Sequence, residues 1–121
     1  MAETKLTPLY LKTLAQKFDL ETITILNVSN KNVQGNIGSL GECKNIQYVD
    51  LSRNRITVLS GMESLKNLRV LNLSFNKLTS IDVLLGCEKL QKLELQGNLI
   101  KNLNVFEKMG PAMKDLVNLY L

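Results

Sequence analysis

Three stretches of the chain, "IQYVDLSRNRI" from Ile46, "LRVLNLSFNKL" from Leu68 and "LQKLELQGNLI" from Leu90, carry one apolar spacing. The apolar positions fall three, then two, then five residues apart, which is neither a helical period nor a sustained strand alternation. Aligned on their first apolar residue, units begin at Ile23, Ile46, Leu68, Leu90 and Leu116, with steps of 23, 22, 22 and 26 residues. A unit of that length cannot bury its own apolar side. It has to stack on its neighbours, so the recurrence predicts a solenoid with one continuous core.

The centre of each unit predicts a short strand, and successive strands stack as a parallel sheet, one side inward and the alternate residues outward. After the strand the chain turns inward at Asn54, Asn76 and Asn98, the same position in three consecutive units. A side-chain amide there can donate to and accept from backbone groups that the turn exposes, so the three form an expected ladder of buried amides. The return segments add core columns: Leu59, Ile81 and Leu103; Leu40, Met62 and Leu84; Cys43, Leu65 and Cys87. The expected class is α/β, with residues 1–22 as an N-terminal capping helix and 23–121 as repeats, the last truncated.

A stack exposes its core at both ends. In "LTPLYLKTLAQKF", Thr7 suits an N-cap, Pro8 suits the first helical position, and Leu11, Leu14, Ala15 and Phe18 share one helical face. That stripe is expected to cover the first unit; a membrane-surface or partner-docking helix is the alternative. The first unit is irregular, with Lys31 where the ladder asparagine belongs. In "FEKMGPAMKDL", Gly110-Pro111 is expected to break two short helical turns around Phe106, Met109 and Met113. The closing "LVNLYL" begins a fifth strand, and either a fragment or an exposed sheet edge is expected there, the fragment favoured.

Among 121 residues, 21 % charged and 45 % apolar, composition is that of one structured globular domain. The net charge is +4, but 15 Lys and Arg are scattered among 11 Asp and Glu without a block of one sign, which reads as a solvated surface. No apolar stretch is long enough for a membrane span or a signal segment, so the expectation is a soluble, non-secreted protein. Cys43 and Cys87 lie two units apart, about 10 Å at a strand spacing of about 4.8 Å. A disulfide needs Cα atoms within about 7 Å, so both read as free buried thiols in a reducing compartment. The sequons at Asn27 and Asn72 then fall on strands and are incidental.

Catalysis is not expected. Without histidine, neither a Ser/His/Asp nor a Cys/His arrangement is available. The cysteines lack metal-ligand spacing, no phosphate-cradling glycine motif occurs, and Asp50 and Glu94 fall two strands apart on an open sheet. No metal and no cofactor is expected. What remains is the outward side of the sheet: Ile25, Tyr48, Val70, Lys92 and Asn118 in one column, Asn27, Asp50, Asn72, Glu94 and Tyr120 in the next, then Ser29, Ser52, Ser74 and Gln96, with Arg53 and Phe75 further along the turn. These line the expected concave surface and mix aromatic anchors with polar and charged groups, the composition of a protein-binding patch. Tyr48, Asp50, Arg53, Val70, Asn72, Phe75, Lys92 and Glu94 are its candidate contact residues. A merely solvated face is the competing reading, and nucleic acid is disfavoured because Asp50 and Glu94 would repel phosphate.

The units "NIQYVDLSRNRITVLSGMESLK" and "NLRVLNLSFNKLTSIDVLLGCEK" resemble the intracellular class of leucine-rich repeats typified by nuclear phosphatase regulators, axonemal dynein light chain 1 and the spliceosomal A-prime proteins. The resemblance covers about 100 residues. It implies a right-handed solenoid, a monomer, with protein partners (a phosphatase, a motor or a cytoskeletal protein) on the concave face. It also implies a cytoplasmic location with cilium or nucleus association. A structural spacer within a longer cytoskeletal or ciliary protein, and less so a ribonucleoprotein-associated module, are the alternatives.

Overall fold

The computed structural model describes residues 2–121; Met1, the first residue of the expected capping segment, lies outside the described residues. Five three-residue strands pair in parallel and in sequence order: β1 (Ile25–Asn27), β2 (Tyr48–Asp50), β3 (Val70–Asn72), β4 (Lys92–Glu94) and β5 (Asn118–Tyr120). The register is uniform, Ile25 opposite Tyr48, Val70, Lys92 and Asn118 in turn, so each sequence column is a row of neighbouring side chains. Short 3₁₀ turns at Gly38–Glu42, Met62–Ser64 and Asp82–Gly86 stack on the opposite side. Between the two layers Leu26, Val49, Leu71 and Leu93 point inward and meet the return-segment columns. This is the expected α/β repeat solenoid.

The core is continuous because each unit supplies the same few positions. Leu40, Met62 and Leu84 are fully buried, as are Cys43, Leu65 and Cys87. Burial pushes the Cys43 thiol up to about 11, with Glu42 adding to the effect. It does the same to Cys87, with Lys66 opposing and Glu63 adding, and the Cys87 thiol lies 3.4 Å from the Met62 carbonyl as a weak donor. Both thiols are free. At neutral pH they are protonated and behave as small apolar side chains.

The return turns pack closely enough to exclude a methyl group. Gly61 has φ +104, and a Cβ there would lie 2.8 Å from the Gly38 Cα. Only glycine meets both conditions without strain.

At the N-terminal end, helix α1 (Pro8–Ala15) opens with Thr7 accepting from the Tyr10 N–H at 3.1 Å and Pro8 at its start, and it buries Leu11 while Leu14 and Ala15 pack partly against the core. Phe18 departs from the expected stripe. The helix stops at Gln16, which takes a left-handed φ of +57, so the chain leaves the helical frame and Phe18 is 94 % exposed. The N-terminal cap also includes what precedes the helix: Thr4 bridges Val33 and Leu6 is buried.

The C-terminal end departs in two places. The expected break at Gly110-Pro111 does not occur, because helix α2 (Asn104–Ala112) runs through both residues. Pro111 is the penultimate helical residue, so it removes one N–H from the last turn only, and the Met113 N–H still bonds back to the Met109 carbonyl at 2.7 Å. The helix places Val105 and Met109 in the core and Met113 just after it, while Phe106 is half-buried. Leu103, expected as the third member of the Leu59 and Ile81 column, is 64 % exposed, since no turn among the described residues lies over it.

Candidate functional site

Inward turning after each strand rests on the amides of Asn54, Asn76 and Asn98. The Asn54 carbonyl oxygen accepts from the Lys31 and Val33 N–H groups at 3.0 and 2.9 Å, while its amide donates to the Val28 and Leu51 carbonyls. Asn76 accepts from Ile56 and donates to Leu51 and Leu73; Asn98 accepts from Leu78 and donates to Leu73 and Leu95. Each amide thus ties its own turn to the preceding one. Asn54 and Asn76 are buried, whereas Asn98 is half-buried. In the first unit Lys31 is exposed and contributes only its backbone. Asn32 instead donates to the Ala2 carbonyl and accepts at its own carbonyl from Thr4, so the N-terminal segment stands in for the missing rung.

On the outward side of the sheet the two strand columns lie as the register dictates. Tyr48 is exposed, with Val70 and Lys92 half-buried beside it; Asp50, Asn72 and Glu94 are half-buried in the adjacent column. Exposed Ile25 and Tyr120 close the face at its two ends, and the Lys92 ammonium lies 5.6 Å from the Tyr120 ring centre. This is a continuous surface of aliphatic, aromatic and polar groups carried on rigid backbone.

The serine column does not belong to that surface. Ser52 donates to the Asp50 carboxylate from both its N–H and its hydroxyl, at 2.9 and 2.6 Å, and Ser74 does the same to the Asn72 side-chain oxygen at 3.0 and 2.6 Å. Ser29 repeats the pattern on Asn27. The paired bonds pull the chain inward at the end of each strand and bury Ser52 and Ser74, so they are turn-forming rather than contact residues. In the fourth unit Glu94 and Gln96 replace the pair, and the Gln96 side-chain oxygen is buried with no hydrogen-bond partner among the described residues.

Sequence reasoning missed a third column. Asn30, Arg53, Phe75 and Gly97 all have positive φ, between 53 and 76. Every ladder turn therefore passes through the left-handed region, which costs a bulky residue such as Arg or Phe on the order of 1 kcal/mol or more. The Arg53 guanidinium lies 4.6 Å from the Phe75 ring centre, and a Cβ on Gly97 would fall 2.5 Å from Phe75 Cδ1. Arg53 and Phe75 thus form a stack on the turn rim rather than part of the Tyr48 and Val70 column. The clue was available: Asn30 and Gly97, the two residue types that favour left-handed backbone, occupy its first and last positions.

Among the described residues no group of three or more His, Cys, Asp or Glu could hold a metal ion, and no helix is long and apolar enough to cross a membrane.

Residues 44–100 match the family model described as leucine rich repeat. A search of curated proteins gave no match. Many solved structures are similar in fold, among them the following two. A leucine-rich-repeat protein of Leptospira interrogans superposes with a TM-score of 0.70 at 23 % identity, over 93 % of this chain and 27 % of that one. Internalin C2 of Listeria monocytogenes gives 0.63 at 20 % identity, over 84 % of this chain and 51 % of that one. The chain spans about a quarter of the first relative and half of the second. It has the right-handed leucine-rich-repeat fold, and the match to that family's model lies over its central turns.

Proposed function

We propose that the chain is a non-catalytic interaction module that receives a folded protein on the outward, concave face of its sheet. The observation that carries this reading is the contiguous row Ile25, Tyr48, Val70 and Lys92, in register on four strands, with Ile25 67 % exposed. Apolar and aromatic side chains on a face held rigid by parallel pairing need little ordering to bind, which is what an interface anchor requires. A monomer in a reducing, cytoplasmic setting fits the two free buried thiols. Within the family class, "LTPLYLKTLAQKFDLETITILNV" followed by "LGEC" resembles leucine-rich-repeat-containing protein 61, a small cytoplasmic or cilium-associated member. A phosphatase, motor or cytoskeletal partner accords with that likeness.

Exposed Leu99, Leu103, Val117 and Leu121 near the C-terminal end favour a second reading, a spacer that orients whatever packs against that end. A photo-crosslinking amino acid placed at Tyr48, at Leu103 or at Glu63 on the return side separates the two. Crosslinks to one cellular protein from position 48 alone support the sheet face. Crosslinks from position 103 alone support the spacer, and the same products from position 63 would sink both.

A further inference from the structure

The two edges of the solenoid differ in charge. The turns that follow the strands, residues 28–37, 51–61, 73–81 and 95–103, contain Lys31, Arg53, Arg55, Lys77 and Lys101 and no Asp or Glu. All five are exposed. The return turns at 42–45, 62–67 and 82–89 instead mix Glu42, Glu63, Asp82 and Glu88 with three lysines. Charge scattered along the sequence is therefore sorted in space, and the turns of one rim carry only basic charge, with Glu3 of the N-terminal segment the one carboxylate set against them, at Gly35 on the first turn.

The rim has built-in geometry. The Arg55 N–H donates to Val33 and the Lys77 N–H to Ile56, so the two side chains leave from equivalent points on consecutive turns. Arg53 and Arg55 share a cleft of ≈ 240 Å³ with Asn30, Asn32 and Asn54. Consecutive turns are spaced by about 4.8 Å, and alternate side chains of an extended chain by about 6.6 Å, so a strand-like segment crossing the turns meets a cation every one to two residues. Arginine also offers a planar fork that matches a carboxylate.

We propose that the rim of Lys31, Arg53, Arg55 and Lys77 is a docking track for an extended, carboxylate-rich segment of a protein partner. It deepens the interaction-module reading by naming the chemistry that guides the partner. Two observations favour a peptide over nucleic acid. The Phe75 ring is already engaged by the Arg53 guanidinium and the Gly97 backbone, which makes it a poor platform for a base. Asp50 and Glu94 on the adjoining sheet face confine the positive potential to a narrow stripe, too narrow for a polyanion whose charge spreads along its whole backbone.

The test is fluorescence anisotropy of the whole chain with a labelled twelve-residue peptide of alternating Glu and Ser, at low and physiological salt. Saturable binding that weakens with salt is expected. Arg55→Glu with Lys77→Glu is expected to weaken it at least tenfold, while the charge-matched Lys44→Glu with Lys89→Glu on the other edge stays within twofold. Arg55→Gln with Lys77→Gln, a milder pair, guards against a folding defect and is expected to weaken binding several-fold. Equal losses in the two charge-reversed pairs, an absence of saturable binding, or tighter binding of an oligodeoxythymidine of equal charge would overturn the proposal. Tyr48→Ala with Val70→Ala, which removes the apolar anchors of the sheet face without changing its charge, is expected to leave peptide affinity unchanged. Lost peptide binding with intact crosslinking from position 48 overturns the track alone.

Discussion

The middle of the solenoid and its C-terminal end are built from the same sequence columns and have different physical properties. Leu71 on β3 is fully buried, whereas Leu119, its counterpart on β5, is 37 % exposed. Ile81 is buried and Leu103 exposed in one column; Asn76 is buried and Asn98 half-buried in another. Residue type is the same in two of these pairs and conservatively changed in the third. What differs is whether a neighbouring turn lies on both sides. In a stacked fold a residue's energetic weight is set by its place in the stack as much as by its chemistry.

The largest test of that contrast is a pair of truncations. Leu71→Ala should cost about 3–4 kcal/mol in denaturant unfolding, and Leu119→Ala under about 1 kcal/mol, because the second leaves no enclosed cavity. Equal costs would mean that the C-terminal edge is covered in solution. Next come the amides. Asn76→Ala strands a buried N–H at Ile56 and removes one of the two amide donors to each of the Leu51 and Leu73 carbonyls, with an expected loss of about 3 kcal/mol, against about 1 kcal/mol for Asn98→Ala, where water reaches the turn. Gly61→Ala, in the middle of the return layer, should cost about 2 kcal/mol from strained backbone and displaced Gly38, measured the same way.

A smaller effect depends on pH. The folded thiols of Cys43 and Cys87 titrate near 11, above the ordinary value of 9.0. Above pH 9 the unfolded chain loses these protons while the folded chain keeps them, so the thiols' contribution is full below pH 9 and is lost between pH 9 and about 11. The melting temperature should therefore fall across that window, and fall less in a Cys43→Ala, Cys87→Ala variant. A thiol reagent at pH 8 should react with the native chain far more slowly than with the unfolded one. The smallest expected effect is on Leu103→Ser, within about 0.5 kcal/mol, since an exposed leucine has little burial to lose.

Much of this architecture was legible because a 22-residue recurrence fixes partners before any contact is known. The strand columns, the paired turns at Asn54, Asn76 and Asn98 and the core position of the cysteines all follow from spacing. Other features were hidden by what spacing omits. Phe18 fits the helical stripe, yet the helix ends at Ala15 because the left-handed Gln16 follows it. Ser52 and Ser74 sit at outward positions by strand alternation, but hydrogen bonds to Asp50 and Asn72 end the alternation first. Gly110-Pro111 reads as a break only if the helix is assumed to end before it. The Arg53 and Phe75 stack escaped notice because neither residue type favours a positive φ, and the basic rim because net charge along the chain says nothing of which edge each charge occupies. Of the candidate contact residues, the structure groups Tyr48, Val70 and Lys92 in one row, Asp50, Asn72 and Glu94 in a second, and sets Arg53 and Phe75 apart on the rim.

The uniform register of the five strands has an engineering consequence. With every strand in step, the outer face is a grid on which a residue is addressed by two coordinates, its turn and its column. Duplicating residues 68–89 would add one row to that grid without shifting any column, so the span of the face can be lengthened in increments of about 4.8 Å while its lateral pattern is kept. A surface of this kind can change its reach and its chemistry independently.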